Sequence, residues 1–164
     1  MSAAIDSVCR CLLLDFRAPC VFVFAVCLTD AMDARIIDFG LSIYNGDNNN
    51  GDVYVERKQP HSGGTKGYIA PEMESMQAAM DIDKSAEGSA RCFSAKVDIY
   101  TLAVTFFEMA VGRIPDVTVD AMFDPLEGRD DPATLELLKC MLKITPEERP
   151  TAAELIDRIA VLHP

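Results

Sequence analysis

No cluster of lysine or arginine occurs anywhere in this sequence. Lys and Arg total 15 against 26 Asp and Glu, a formal charge of −11. That shortage argues against nucleic acid, or an anionic membrane surface, as the main partner. There is no Cys-x-x-Cys pair either. Six cysteines are scattered (Cys9, Cys11, Cys20, Cys27, Cys92 and Cys140), and the two histidines, His61 and His163, stand far from most of them. Such spacing does not suit a zinc site. Buried, reduced thiols in an intracellular, cytoplasmic protein are the expectation. Long hydrophobic runs are also missing. Ala18 to Leu28 is uncharged and mostly apolar, but it falls short of the roughly 20 residues that span a bilayer. Asp6 and Asp15 offset Arg10 and Arg17 before it, so it lacks the positive flank of a signal peptide. No internal repeat is present.

What is there suffices for a core. The chain has 164 residues, 49% of them hydrophobic, about one domain's worth. Val21 to Val26 is β-branched and aromatic and reads as a buried strand, with a short buried helix as the alternative. A turn at Thr29 to Asp33 and a second strand at Arg35 to Asp38 complete an expected hairpin. Asn45 to Gly64 is rich in Asn, Asp, Gly and Ser and reads as loop, with a brief strand possible at Val53 to Val55. Met73 to Gly88 has moderate helical character.

From Ala95 to Val111 the chain is apolar on nearly every face, with Ser94 as the expected N-cap and Gly112 as the stop. A helix of that kind lies in the middle of a domain or a membrane; Lys96, Asp98 and Glu108 favour the domain. A carboxylate buried like Asp98 needs donors around it. Pro115 to Asp131 reads as loop with one short helix. Pro132 to Leu142 is an expected helix, with Asp131 as its cap. Thr145-Pro146-Glu147-Glu148 and Thr151-Ala152-Ala153-Glu154 both fit the capping-box pattern, the second opening a final helix with Leu155, Ile156, Ile159 and Leu162. Everything after Glu72 is expected to be helical.

Four features occur in order: Asp38-Phe39-Gly40 after a strand, Ala70-Pro71-Glu72 at a loop's end, the buried helix with its early Asp98, and Arg149-Pro150. Together they resemble the C-terminal lobe of a eukaryotic protein kinase, from Thr29 to Leu162. The resemblance implies a mainly α fold, a helical C-lobe fragment with a small β-hairpin before the activation segment. It divides the chain into residues 1–28, without family resemblance, and 29–164, a partial kinase domain. The latter would hold the activation segment 38–72, a central helix 95–111 and C-terminal helices 132–162. It also implies ATP and Mg²⁺ as the family's cofactors and protein serine or threonine as its substrate. Asp38 matches the metal ligand, Phe39 the residue that sets the segment's posture, and Gly40 the backbone turn. Gly64, Thr65 and Tyr68 match the substrate-facing loop of serine/threonine kinases. Glu72 and Arg149 match a structural ion pair, and Asp98 a residue that bonds the catalytic-loop backbone. Ser42, Ser62 and Thr65 are hydroxyls in the segment, open to phosphorylation or simply solvated.

The departures concern activity. The family's His-Arg-Asp catalytic loop should precede Asp38 by about eighteen residues, Asp to Asp. Counting back places Cys20 at the catalytic aspartate, Phe22 at the lysine and Ala25 at the metal-binding asparagine. No catalytic residue is therefore intact, and no Gly-rich loop or Val-Ala-Ile-Lys strand occurs. Twenty-five residues separate Glu72 from Asp98, more than the family usual. The match is good after Thr29 and nil before it, which implies a kinase sequence truncated or mis-joined upstream. The alternative is a non-catalytic, pseudokinase-like scaffold that binds a protein substrate or regulator. A half-kinase completed by another chain is a third reading, against which the absent catalytic loop counts. In each case this chain is not expected to bind Mg²⁺-ATP or transfer phosphate alone.

Overall fold

The computed structural model describes residues 20–21, 25–28, 34–37, 43–44, 55–57, 64–75, 91–116, 120–126 and 132–162. Most of these are helical. Helix α1, Lys96–Val111, is the axis of the core, and ten of its residues are buried from Val97 to Phe107. Its run of Val, Ile, Leu and Phe on all sides leaves no polar face to turn to water, so neighbours surround it. Only its last turn emerges, with Met109 44% exposed. There Gly112 adopts φ 81° and donates its N–H to the Glu108 carbonyl at 2.7 Å. A left-handed residue at this position is what glycine permits without a Cβ clash. At the other end the first flanking residue is Ala95, not Ser94, and no side chain caps the helix. The Ser94 hydroxyl instead accepts from the Lys96 N–H at 3.3 Å.

Three elements close on α1. A 3₁₀ helix, Asp120–Leu126, buries Met122 and Leu126 and sets Phe123 edge-on to Phe107, with centroids 5.8 Å apart and planes at 81°. Phe107 is fully buried, which is worth roughly 1.5–3 kcal/mol for such a side chain. Helix α2, Pro132–Met141, turns Leu138 and Met141 inward. Helix α3, Ala152–Leu162, contributes Leu155 and Ile159. Between α2 and α3 lies a 3₁₀ turn, Pro146–Glu148.

The two expected capping boxes differ. At α3 the box forms: Glu154 N–H donates to Thr151 Oγ1 at 3.2 Å, and Thr151 N–H donates to Glu154 Oε2 at 2.8 Å. At Thr145 no side-chain cap bond is made. The Glu148 N–H donates to the Thr145 backbone carbonyl at 3.1 Å instead, so the donor that a cap would use is taken by the 3₁₀ turn itself.

Among the described residues the strands are short and paired two by two, all antiparallel. They are β1 Cys20–Val21, β2 Ala25–Leu28, β3 Ala34–Ile37, β4 Ile43–Tyr44, β5 Val55–Arg57 and β6 Arg91–Phe93. Cys20 faces Tyr44 and Val21 faces Ile43 in β1–β4; Ala25 faces Ile37 and Leu28 faces Ala34 in β2–β3. β5 pairs with β6, with Val55 opposite Phe93 and Arg57 opposite Arg91. β6 corrects the expectation that all structure after Glu72 is helical. Three residues of mixed character carry no alternation for a sequence reading to find. Of the helix expected over 73–88, residues 71–75 are helical; the remainder lies outside the described residues. Among the described residues, no helix is long and apolar enough to cross a membrane.

Candidate functional site: a loop seated on the central helix

Residues 64–75 run along α1. The segment enters through two left-handed glycines, Gly64 at φ 127° and Gly67 at φ 91°. A Cβ on Gly67 would come within 2.9 Å of Ile114 Cδ1, so this position needs glycine for conformation and for space. The Tyr68 N–H closes a turn on the Thr65 carbonyl at 3.1 Å. Gly64, Thr65 and Lys66 are exposed, while Ala70 and Met73 sink into the core. Pro71 then starts a helical turn over 71–75. The Ala70 carbonyl accepts from the N–H groups of Met73 and Glu74, and proline at a first helical position forfeits no bond.

Three tethers hold this segment to the helices. Thr101 Oγ1 lies 3.0 Å from the Tyr68 carbonyl and 3.1 Å from the Val97 carbonyl, so its one proton is shared between loop and helix. The Tyr68 hydroxyl donates to the Glu108 carboxylate. That bond, with burial and the Glu108 charge behind it, raises the Tyr68 phenol above its usual range. The third tether is the largest. Arg149 Nη1 and Nη2 donate to Glu72 Oε1 and Oε2 at 2.7 and 2.8 Å, a two-pronged pair.

Arg149 is 1% exposed, yet its donors are well supplied with acceptors. Nε donates to the Lys143 carbonyl at 2.7 Å, Nη2 to the Ile144 carbonyl at 2.9 Å and Nη1 to the Lys96 carbonyl at 3.1 Å. Its guanidinium also stacks 4.9 Å from the Tyr100 ring centroid. Burial raises the Tyr100 phenol, and the Arg149 charge opposes that shift. A guanidinium suits this position because its planar fork matches a carboxylate while a third edge remains for carbonyls.

The structure thus brings Glu72 and Arg149 together and places Gly64, Thr65 and Tyr68 at the outer end of the same segment. Asp98 is 3% exposed in the first turn of α1. Asp38, Phe39 and Gly40 lie outside the described residues, as do Ser42 and Ser62. The Cys20 and Ala25 backbones lie in β1 and β2. Among the described residues, no group of three or more His, Cys, Asp or Glu could hold a metal ion. Sequence reasoning missed Thr101 as a tether and Glu108 as the partner of Tyr68. A partial signal existed: both are polar residues in the mostly apolar body of the helix, seven positions and so about two turns apart on one face.

The order of the motifs, the mainly helical lobe and the loop clamped by a glutamate–arginine pair are consistent with a protein-kinase C-lobe, and comparison with known proteins agrees. No family model matches the chain. Over 112 residues it is 38% identical to mitogen-activated protein kinase kinase kinase 1 of Arabidopsis thaliana, covering 62% of this chain and 16% of that protein. It is 31% identical over 137 residues to mitogen-activated protein kinase kinase kinase mkh1 of Cytospora mali, covering 75% and 6%. Against human serine/threonine-protein kinase 10 it is 28% identical over 144 residues, covering 80% and 13%. The chain is therefore related to the serine/threonine protein kinases, and it spans less than a fifth of the length of these relatives.

Proposed function

We propose that this chain supplies the helical lobe of a serine/threonine protein kinase domain and does not itself transfer phosphate. In this reading residues 29–164 form the lobe, with the β2–β3 pair as its small hairpin and 38–72 as the activation segment. Gly64, Thr65 and Tyr68 face a protein substrate. The observation that supports it most is the Glu72–Arg149 clamp, which seats the end of the segment on the helical core. The names of the relatives supply the transferase class.

The inactivity follows from donor chemistry. Phosphoryl transfer rests on positioning and charge neutralisation by metal ions, and Mg²⁺ takes oxygen ligands. Cys20 and Ala25 stand at the positions of the base and of a metal-binding amide. A thiol and a methyl group offer the ion no oxygen, and the substrate hydroxyl no carboxylate base. Asp38 alone would face the metal, so these residues do not fit a Mg²⁺-ATP pair. The test is calorimetric titration of the purified chain with Mg²⁺-ATP, alongside phosphate transfer to a mixed serine/threonine protein substrate. We expect no measurable heat and no transfer. A micromolar constant, or transfer lost in Asp38→Ala, would overturn the reading.

The exposed Gly64–Lys66 edge, on a segment tethered to α1 through Tyr68, favours a second reading, a non-catalytic scaffold for kinase substrates or regulators. Binding of serine-containing substrate peptides that is lost in Thr65→Glu, with no phosphate transfer, would select it.

A further inference from the structure

Beside their core-facing sides, α2 and α3 present further apolar surface between them: Ala133 and Leu137 on α2, the latter also touching the core, and Val161 on α3. Leu138 and Met141 of α2, and Leu155 and Ile159 of α3, point inward and are buried. Ala133, Glu136 and Leu137 lie on another side of α2, and Asp157, Arg158 and Val161 on another side of α3; these six residues line an open groove of about 480 Å³. Val161 is 79% exposed beside it. The volume falls within the roughly 300–1,000 Å³ of ligand-binding clefts. The walls are aliphatic and the rim is charged. Arg158 sets one positive charge on the rim against the two carboxylates. Glu136 and Asp157 make no ion pair among the described residues, and they leave the rim net acidic.

We propose that the groove between α2 and α3 docks a basic amphipathic peptide segment of a partner protein, one that sets a branched aliphatic side chain between the helices and a lysine or arginine against Glu136 and Asp157. Charge selects this occupant. The whole chain is at −11, which adds a long-range attraction for a basic segment. The same charge disfavours a second copy of the chain. An apolar anchor in a groove with charged flanks is the ordinary mode of helix-in-groove recognition. The site is separate from the 64–75 segment and does not depend on its role.

The test is fluorescence anisotropy on the full chain with three labelled synthetic helical peptides. The first carries two leucines four residues apart and lysine flanks, the second has glutamates for the lysines, and the third has serines for the leucines. We expect only the first to bind. Val161→Glu should weaken it on the order of tenfold or more, as loss of a central anchor does. Asp157→Lys combined with Glu136→Lys should reverse the preference toward the glutamate peptide. Val161 and both carboxylates are outside the core, so circular dichroism should show unchanged folding in these variants. Equal binding of all three peptides, no binding, or indifference to Val161→Glu would overturn the proposal. So would sedimentation showing a dimer that Val161→Glu dissociates, which would assign the groove to a second copy.

Discussion

Replacing Arg149 should cost this chain a large share of its stability. Arg149→Met keeps most of the side-chain volume but removes all five hydrogen bonds that the guanidinium donates. Glu72, whose side chain is 21% exposed, is left as a partly buried carboxylate without its partner. Breaking one side of a buried pair costs ~3–5 kcal/mol. Water reaching Glu72 lowers that figure, while the carbonyls of Lys96, Lys143 and Ile144 each lose a donor and raise it. We expect about 4 kcal/mol, which for a chain of this size lowers Tm by roughly 8–16 °C. Glu72→Gln keeps an acceptor for one Nη and should cost only about 1–2 kcal/mol. The double variant should cost less than the two singles together by about 1–3 kcal/mol, because the second change finds the pair already broken. Urea unfolding followed by circular dichroism measures all four corners. If Arg149→Met costs less than about 1 kcal/mol, or the singles add within about 0.5 kcal/mol, the clamp is not what holds the segment on the core.

Three further outcomes follow from local geometry. Gly112→Ala meets open space but a left-handed backbone, and should cost about 1 kcal/mol. Gly67→Ala adds the contact with Ile114 and should cost more, as paired urea melts would show. The Glu154 carboxyl is held below its usual range by the Thr151 N–H first and the Thr151 hydroxyl second. Its folded value is depressed, so its contribution is present above the unfolded carboxylate range and lost as pH falls through the folded value; Glu154→Gln should flatten the acid limb of a Tm–pH profile. Tyr68 and Tyr100 both titrate above the ordinary phenol value of 10.0. An ultraviolet titration should therefore show late-ionising tyrosines, and Tyr68→Phe should remove one of them. Raised folded values mean that the stability is present below the unfolded phenol value and lost as pH rises through the folded one.

How much of this was legible in the sequence depends on how far apart the partners stand. The burial of α1, its stop at Gly112 and the Thr151–Glu154 box are local patterns, and each is found where the pattern puts it. Thr145 shows the limit of such patterns. It has the same spacing to Glu148, but Pro146 leads into a turn too tight to leave the backbone donor for its side chain. Glu72 and Arg149 are separated by 77 positions, and nothing in either neighbourhood implies the other. Only the resemblance to a family joined them. Tyr68 and Glu108 were both visible as residues and invisible as a pair, because no periodicity links a loop to a helix 40 positions away. A brief strand expected at Val53 to Val55 overlaps β5 at Val55, but β6 and the pairing escaped for a similar reason: both strands are three residues long and meet across a long stretch of chain.

The tethers of the 64–75 segment have a mechanical consequence. Through Arg149 they reach Lys96, then Thr101 directly, then Glu108. Those three rungs span roughly 18 Å of one helix at about 1.5 Å per residue. A body pinned at three heights to a single rod cannot slide along it or pivot about one pin. It moves only when the rod turns, and a one-residue slip in the rod would swing the farthest pin by about 100°. A rotation of α1 would therefore carry the Tyr68 and Glu72 contacts together, with the helix as the shaft and the loop as its pointer.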